Sequence, residues 1–130
     1  MQRLILIIGL LALLAGCGGA QGGASEQTQT VDGLAITLIG QPEPATGKPQ
    51  KWTVKLADSS GQPVKGADVY LDLIMTSMTM GQNKPLATDN GDGTYTAEGV
   101  YSMGGAWQVV VHAEVDGADR VATFEVSVAD

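Results

Sequence analysis

The chain has 130 residues, of which 44% are hydrophobic and 16% charged, enough for one core and too few for a multidomain enzyme. Eighteen Gly and five Pro argue against a helical bundle; 5% aromatic residues and a formal charge of -7 exclude a nucleic-acid binder, which needs basic groups for phosphates and rings for bases. One Cys and one His leave no disulfide framework, zinc finger or Cys/His-rich metal site.

At the start of the chain Arg3 precedes an apolar run over residues 4–15, followed by small residues and the single cysteine, Cys17. Twelve apolar residues rise roughly 18 Å as a helix, short of the roughly 30 Å hydrocarbon core, so an export signal is expected rather than a retained membrane span. Leu14, Ala15, Gly16 and Cys17 resemble a bacterial lipobox. That resemblance implies cleavage after Gly16 and lipidation of Cys17, against the alternative of an ordinary signal peptide with an incidental Cys. The expected address is the cell envelope, extracytoplasmic and lipid-anchored, with the membrane as the first partner. Removing residues 1–16 takes away one basic residue, Arg3, and no acidic one, so the mature chain is still more acidic. Residues 17–30 lack a hydrophobic period and are rich in Gly, Gln and Thr, which predicts a lipidated Cys followed by a flexible tether.

From residue 31 to residue 130 the period is two. Leu34, Ile36 and Leu38 alternate, as do Trp52, Val54 and Leu56 against Lys51, Thr53 and Lys55. Val69, Leu71, Leu73 and Met75 form a third inner face, Trp107, Val109, Val111, Ala113 and Val115 a fourth, and Ala122, Phe124, Val126 and Val128 a fifth. The pattern predicts an all-β domain, an immunoglobulin-like antiparallel β-sandwich of about seven strands, with a small barrel as the second choice. Gly and Pro in residues 58–67 and Gly in residues 89–95 mark turns. The second turn resembles that of filamin-type repeats, which are passive structural modules. It is not a calcium loop, because the twelfth position counted from Asp89 is Val100 and not the bidentate Glu such a loop requires.

Every methionine after residue 1 lies in two short stretches. Met75, Met78 and Met80 precede Gly81, and Met103 precedes Gly105 and Trp107, with Pro85, Gly93 and Tyr95 between them. This arrangement resembles the YtkA-like domain family, a group close to FixH-type proteins, over roughly residues 50–128. The resemblance implies a small exported β-sandwich that is membrane-tethered or joined to efflux adaptors. It also implies a role beside copper-transport or oxidase-assembly proteins. Residues 76–81 contain neither the Pro nor the His that accompany these methionines in commoner members.

Thioethers are soft, polarizable and need no deprotonation, so they suit Cu(I). If residues 78–80 are extended, Met78 and Met80 share a face about 6.6 Å apart, and Met103 can approach from a neighbouring strand. Met75 shares the parity of Leu71 and Leu73; it is expected in the core, with a reserve role as ligand. The competing role for all four is to fill irregular space at one end of the sandwich. His112 falls with Gln108 and Glu114 on the solvent face, and Trp107 is expected to pack between the sheets. No Ser has a base nearby, and Asp116 and Asp119 flank a hairpin turn, so no enzyme is expected. The chain therefore reads as a tethered copper-handling accessory, against a passive interaction module or an assembly factor without metal.

Overall fold

Successive side chains of a strand project to opposite faces, so each alternating segment can bury one face and wet the other. The computed structural model describes residues 25–79 and 81–130. The predicted signal peptide and Cys17 lie outside them, as does Met80. Eight strands follow in order: β1 (Ser25–Val31), β2 (Leu34–Gly40), β3 (Pro49–Ala57), β4 (Asp68–Met75), β5 (Thr88–Asp89), β6 (Thr94–Val100), β7 (Gly105–Val115) and β8 (Ala118–Val128). They form a five-stranded sheet in the order β1-β2-β3-β6-β5 and a three-stranded sheet in the order β4-β7-β8, with antiparallel neighbours throughout. Without β1 this is the seven-strand order of an immunoglobulin constant-type sandwich.

The eighth strand corrects the expected tether. Residues 25–30 belong to β1, which pairs with β2 from Ser25 opposite Gly40 to Val31 opposite Leu34. The connecting residues Asp32 and Gly33 have φ of 47° and 81°, the two-residue turn whose twist matches a hairpin. Polar composition hid this strand. Its inward positions carry glutamines instead of apolar residues, and these close the gap to the other sheet. Gln27 Nε2 donates to the Glu125 carbonyl at 3.1 Å, and Gln29 Nε2 donates to the Thr123 carbonyl, covering acceptors on the free edge of β8. Further along that edge, Thr46 N donates to Ala129 O at 2.8 Å and Ala129 N to Pro44 O at 3.0 Å. The opposite edge of the same sheet is covered too. Residues 83–87 run beside β4, where Leu71 N donates to Pro85 O and Leu73 N to Asn83 O, both at 2.9 Å.

The inner faces meet in one core. Ile36, Val54, Leu71, Tyr95, Val109, Val111 and Ala113 have no exposed surface, and Trp107, Leu56 and Phe124 have almost none. Phe124, Ala122 and Val128 turn inward from β8 as the alternation predicts, although Val126 is only partly buried. Tyr95 also ties a loop down: its hydroxyl donates to Val64 O at 2.8 Å and accepts from Ala67 N at 3.1 Å.

Gly93 sits where that loop presses on the turn into β6. Its φ is +87°, and a Cβ there would lie 2.5 Å from Pro63 Cβ. Both the left-handed backbone and the contact oppose a side chain. Gly93→Ala is expected to destabilise the domain by roughly 2 kcal/mol or more, read as a lower urea midpoint with an unchanged slope; an unaltered midpoint would contradict this packing.

Candidate functional site

Met75, Met78 and Met103 lie at the end of the sandwich where β4 stops and β7 begins, with Met75 directly opposite Trp107. Three aromatic rings underlie this end. Trp52 from β3 meets Tyr101 edge-on at 5.6 Å between centroids, and Tyr101 meets Trp107 at 5.2 Å and 58°. All three are buried. Trp107 Nε1 donates to the Met103 carbonyl at 3.0 Å, so the indole that anchors the core also holds the β6–β7 connection. The packing role expected for Trp107 is the one observed.

Each methionine meets a different environment. Met75 is 8% exposed and belongs to the core, as its parity predicts; its methyl carbon lies 3.0 Å from where a Cβ on Gly105 would stand. Met78 is 50% exposed and Met103 is 42% exposed. A shallow groove of about 650 Å³ runs along residues 72–84, lined by Met75, Met78, Thr79, Gln82 and Lys84 among others. Met103 is not part of its wall. The structure thus brings Met75 and Met78 to one groove and places Met103 at the same end, outside that groove.

The extended geometry considered for residues 78–80 is not adopted by the described part. Thr76 and Ser77 form a turn and Met78 lies in a bend. Strand pairing runs out here: Thr76 N and Oγ1 both reach the Ala106 carbonyl at 3.2 Å, and beyond it β4 has no ladder to continue. A spacing between Met78 and its neighbours taken from strand parity therefore does not apply.

Hard ligands do not gather here. Among the described residues no three His, Cys, Asp or Glu side chains cluster as a metal site would need; single carboxylates are present, with Asp72 lining the groove beside Met78 and Asp130 lying against Gly104. His112 lies on the outer face of β7, as its parity predicts. Its ring stacks on Tyr70 at 4.4 Å and 6°, and Nδ1 lies 3.1 Å from Asp119 Oδ2, which commits the imidazole to the sheet surface.

One feature at the far end was not legible. Arg120 has the inward parity of Ala122 and Phe124, and its Nε is buried without a hydrogen-bond partner. It lines a cleft of about 350 Å³ with Asp32, Asp58 and Asp116. Three carboxylates from three separate turns line this cleft with it, a grouping that only the folded arrangement of turns creates.

The fold and this end together define a small immunoglobulin-type β-sandwich with a methionine-bearing, aromatic-backed edge. The chain belongs to the YtkA-like family, whose family model matches residues 28–112. That match takes in β1 from Thr28, β2 and the whole span from Met75 to Trp107. It begins earlier than the expected residue 50 and ends within β7. No curated protein matches the chain.

Burial pushes the phenols of Tyr95 and Tyr101 above the ordinary value of 10.0. The folded state therefore resists a charge that the unfolded chain accepts. This contribution to stability is intact below pH 10 and is lost as pH rises further. Tyrosinate absorbance from these two residues is expected to grow together with the loss of near-ultraviolet circular dichroism. Ionisation of both while the fold persists would contradict their burial.

Proposed function

We propose that this chain is a lipid-anchored, extracytoplasmic accessory domain that holds Cu(I) as cargo through thioethers and passes it to copper-transport or oxidase-assembly proteins. The observation that carries the reading is the contrast among the methionines. Met75 fills the core, whereas Met78 and Met103 leave about half of their surface in water, and the Trp107 indole holds the connection that carries Met103. Burying a methionine is worth roughly 1.5–3 kcal/mol, so packing gives no reason for these two side chains to be outside. Soft, uncharged donors select Cu(I) over Zn(II) and Cu(II), and the absence of a clustered hard-ligand set among the described residues accords with that choice. The lipobox-like residues 14–17 support export and anchoring at Cys17. No residue is assigned a catalytic role.

A second reading, a metal-free interaction module or assembly factor, draws on the position of Met103 outside the groove that Met78 lines. Titration of the reduced protein against a Cu(I) chelator in high salt separates the two. High salt screens diffuse attraction to the acidic surface and leaves coordination intact. One equivalent should bind, with affinity falling at least about tenfold, or about 1.4 kcal/mol, when Met78 and Met103 are both changed to Leu. That exchange conserves volume and should cost less than about 1.5 kcal/mol of stability. No binding by the parent would favour the metal-free module, and equal binding by the double variant would remove Met78 and Met103 from the site. The anchor has its own test: the parent chain should sediment with membranes until detergent is added, and Cys17→Ser should release it.

A further inference from the structure

The sulfur lone pair that suits a thioether to Cu(I) is also open to two-electron oxidants. With a hydroperoxide the sulfur attacks the outer oxygen: an S–O bond forms as the O–O bond breaks, the sulfur is oxidised to a sulfoxide and the peroxide is reduced. The proton on the transferred oxygen leaves with the departing oxygen as water or an alcohol. The step needs neither a base nor a metal, only access of the oxidant to the sulfur. The fold grants that access unequally. Met78 and Met103 are about half exposed, whereas Met75 is buried, with its methyl carbon against Gly105.

At the two exposed positions the product costs the fold little. Neither side chain belongs to the core, so a sulfoxide there stays in water and loses no packing. The same oxygen on Met75 would be a polar atom among buried apolar groups. The β6–β7 connection is held through the Met103 carbonyl, which accepts from Trp107 Nε1 at 3.0 Å. That bond involves the main chain, and a change at the sulfur leaves it in place. Met78 lines its groove together with Gln82 and Lys84. Their N–H groups match a thioether poorly, because its sulfur is a weak acceptor, and match a sulfoxide oxygen well.

From this partition we propose that Met78 and Met103 are reversible oxidation sites, and that a hydroperoxide closes the Cu(I) site by converting them to sulfoxides while the domain stays folded. A sulfoxide offers a hard oxygen in place of a soft sulfur, and Cu(I) favours the soft donor. The exposure that admits the oxidant also admits the epimer-specific reductases that restore the thioether. The pattern of oxidation stands on exposure alone; its effect on copper rests on the copper reading above.

The test treats the metal-free full chain stepwise with hydrogen peroxide in the presence of a chelator and reads each methionine by peptide fragmentation. Met78 and Met103 should each gain one oxygen at least about fivefold faster than Met75, following the ratio of 42% to 8% exposure. The doubly oxidised domain should keep its urea midpoint and its near-ultraviolet circular dichroism. Its affinity for Cu(I), titrated against a competing chelator, should fall at least about tenfold and return after treatment with both epimer-specific sulfoxide reductases. In the variant carrying Met78→Leu and Met103→Leu, peroxide should cause no further loss. Oxidation of Met75 as fast as the other two, or unfolding when only Met78 and Met103 are oxidised, would overturn the proposal. So would a further loss in the double variant, which would assign the effect to another methionine. Unchanged affinity after oxidation of both, in a parent that binds Cu(I), would overturn the switch and leave the copper reading in place. No binding by the untreated parent would overturn both.

Discussion

The contact among Trp52, Tyr101 and Trp107 ties the two sheets and the candidate site into one structure. Trp52 belongs to the five-stranded sheet, Trp107 to the three-stranded sheet, and Tyr101 to the connection between β6 and β7. Ring-to-ring spacings of 5.6 and 5.2 Å in edge and tilted arrangements suit the quadrupoles of the rings and bury a large apolar area. The same indole holds the Met103 carbonyl. Core stability and the placement of an exposed thioether thus share one side chain. A loop that would otherwise be free to move is fixed from beneath while its outer surface stays available, the arrangement expected where a rigid scaffold presents a functional loop.

A three-stranded sheet has two edges within one strand of its centre, and unpaired edges invite association with other chains. Here each edge is covered by a segment that composition alone marks as irregular. Residues 83–87 shield β4 before crossing to β5, and residues 44–46 together with the two β1 glutamines shield β8. This cover leaves the ends of the sandwich as the places where side chains reach solvent without disturbing the ladder. Met75, Met78 and Met103 occupy one end and the Arg120 cleft the other. The two differ in chemistry: the first offers thioethers among polar groups, the second groups one guanidinium with three carboxylates.

The described methionines show how one residue type can serve two ends. Met75 is paired in a ladder and pressed against the backbone of Gly105, where its flexible thioether fills an irregular space. Three residues later the ladder has ended, and Met78 stands half in water. The boundary is set by where β7 begins. Gly105, at φ 129°, turns the chain into the strand, and β4 has no partner past the residues that β7 can reach.

Much of this protein is written in local order. Alternation at Leu34–Gly40, Pro49–Ala57, Asp68–Met75 and Gly105–Val128 specified strands and their inner faces, because the period of a strand is two whatever surrounds it. The same parity placed Met75 and Trp107 inside and His112 outside, and the methionine spacing pointed to the family. β1 was missed because its inward positions are glutamines, whose hydrogen bonds to β8 join residues 98 and 94 positions apart; the Asp32–Gly33 turn was the one local sign of it. Strand parity also failed beyond Met75, since parity holds only while a ladder continues. Whether Met78 and Met103 share a groove, which acidic turns surround Arg120 and which end of the domain lies next to the N-terminal segment depend on how distant strands come together. Those are properties of the packed sheets, decided by contacts between residues far apart in the chain that no local period encodes.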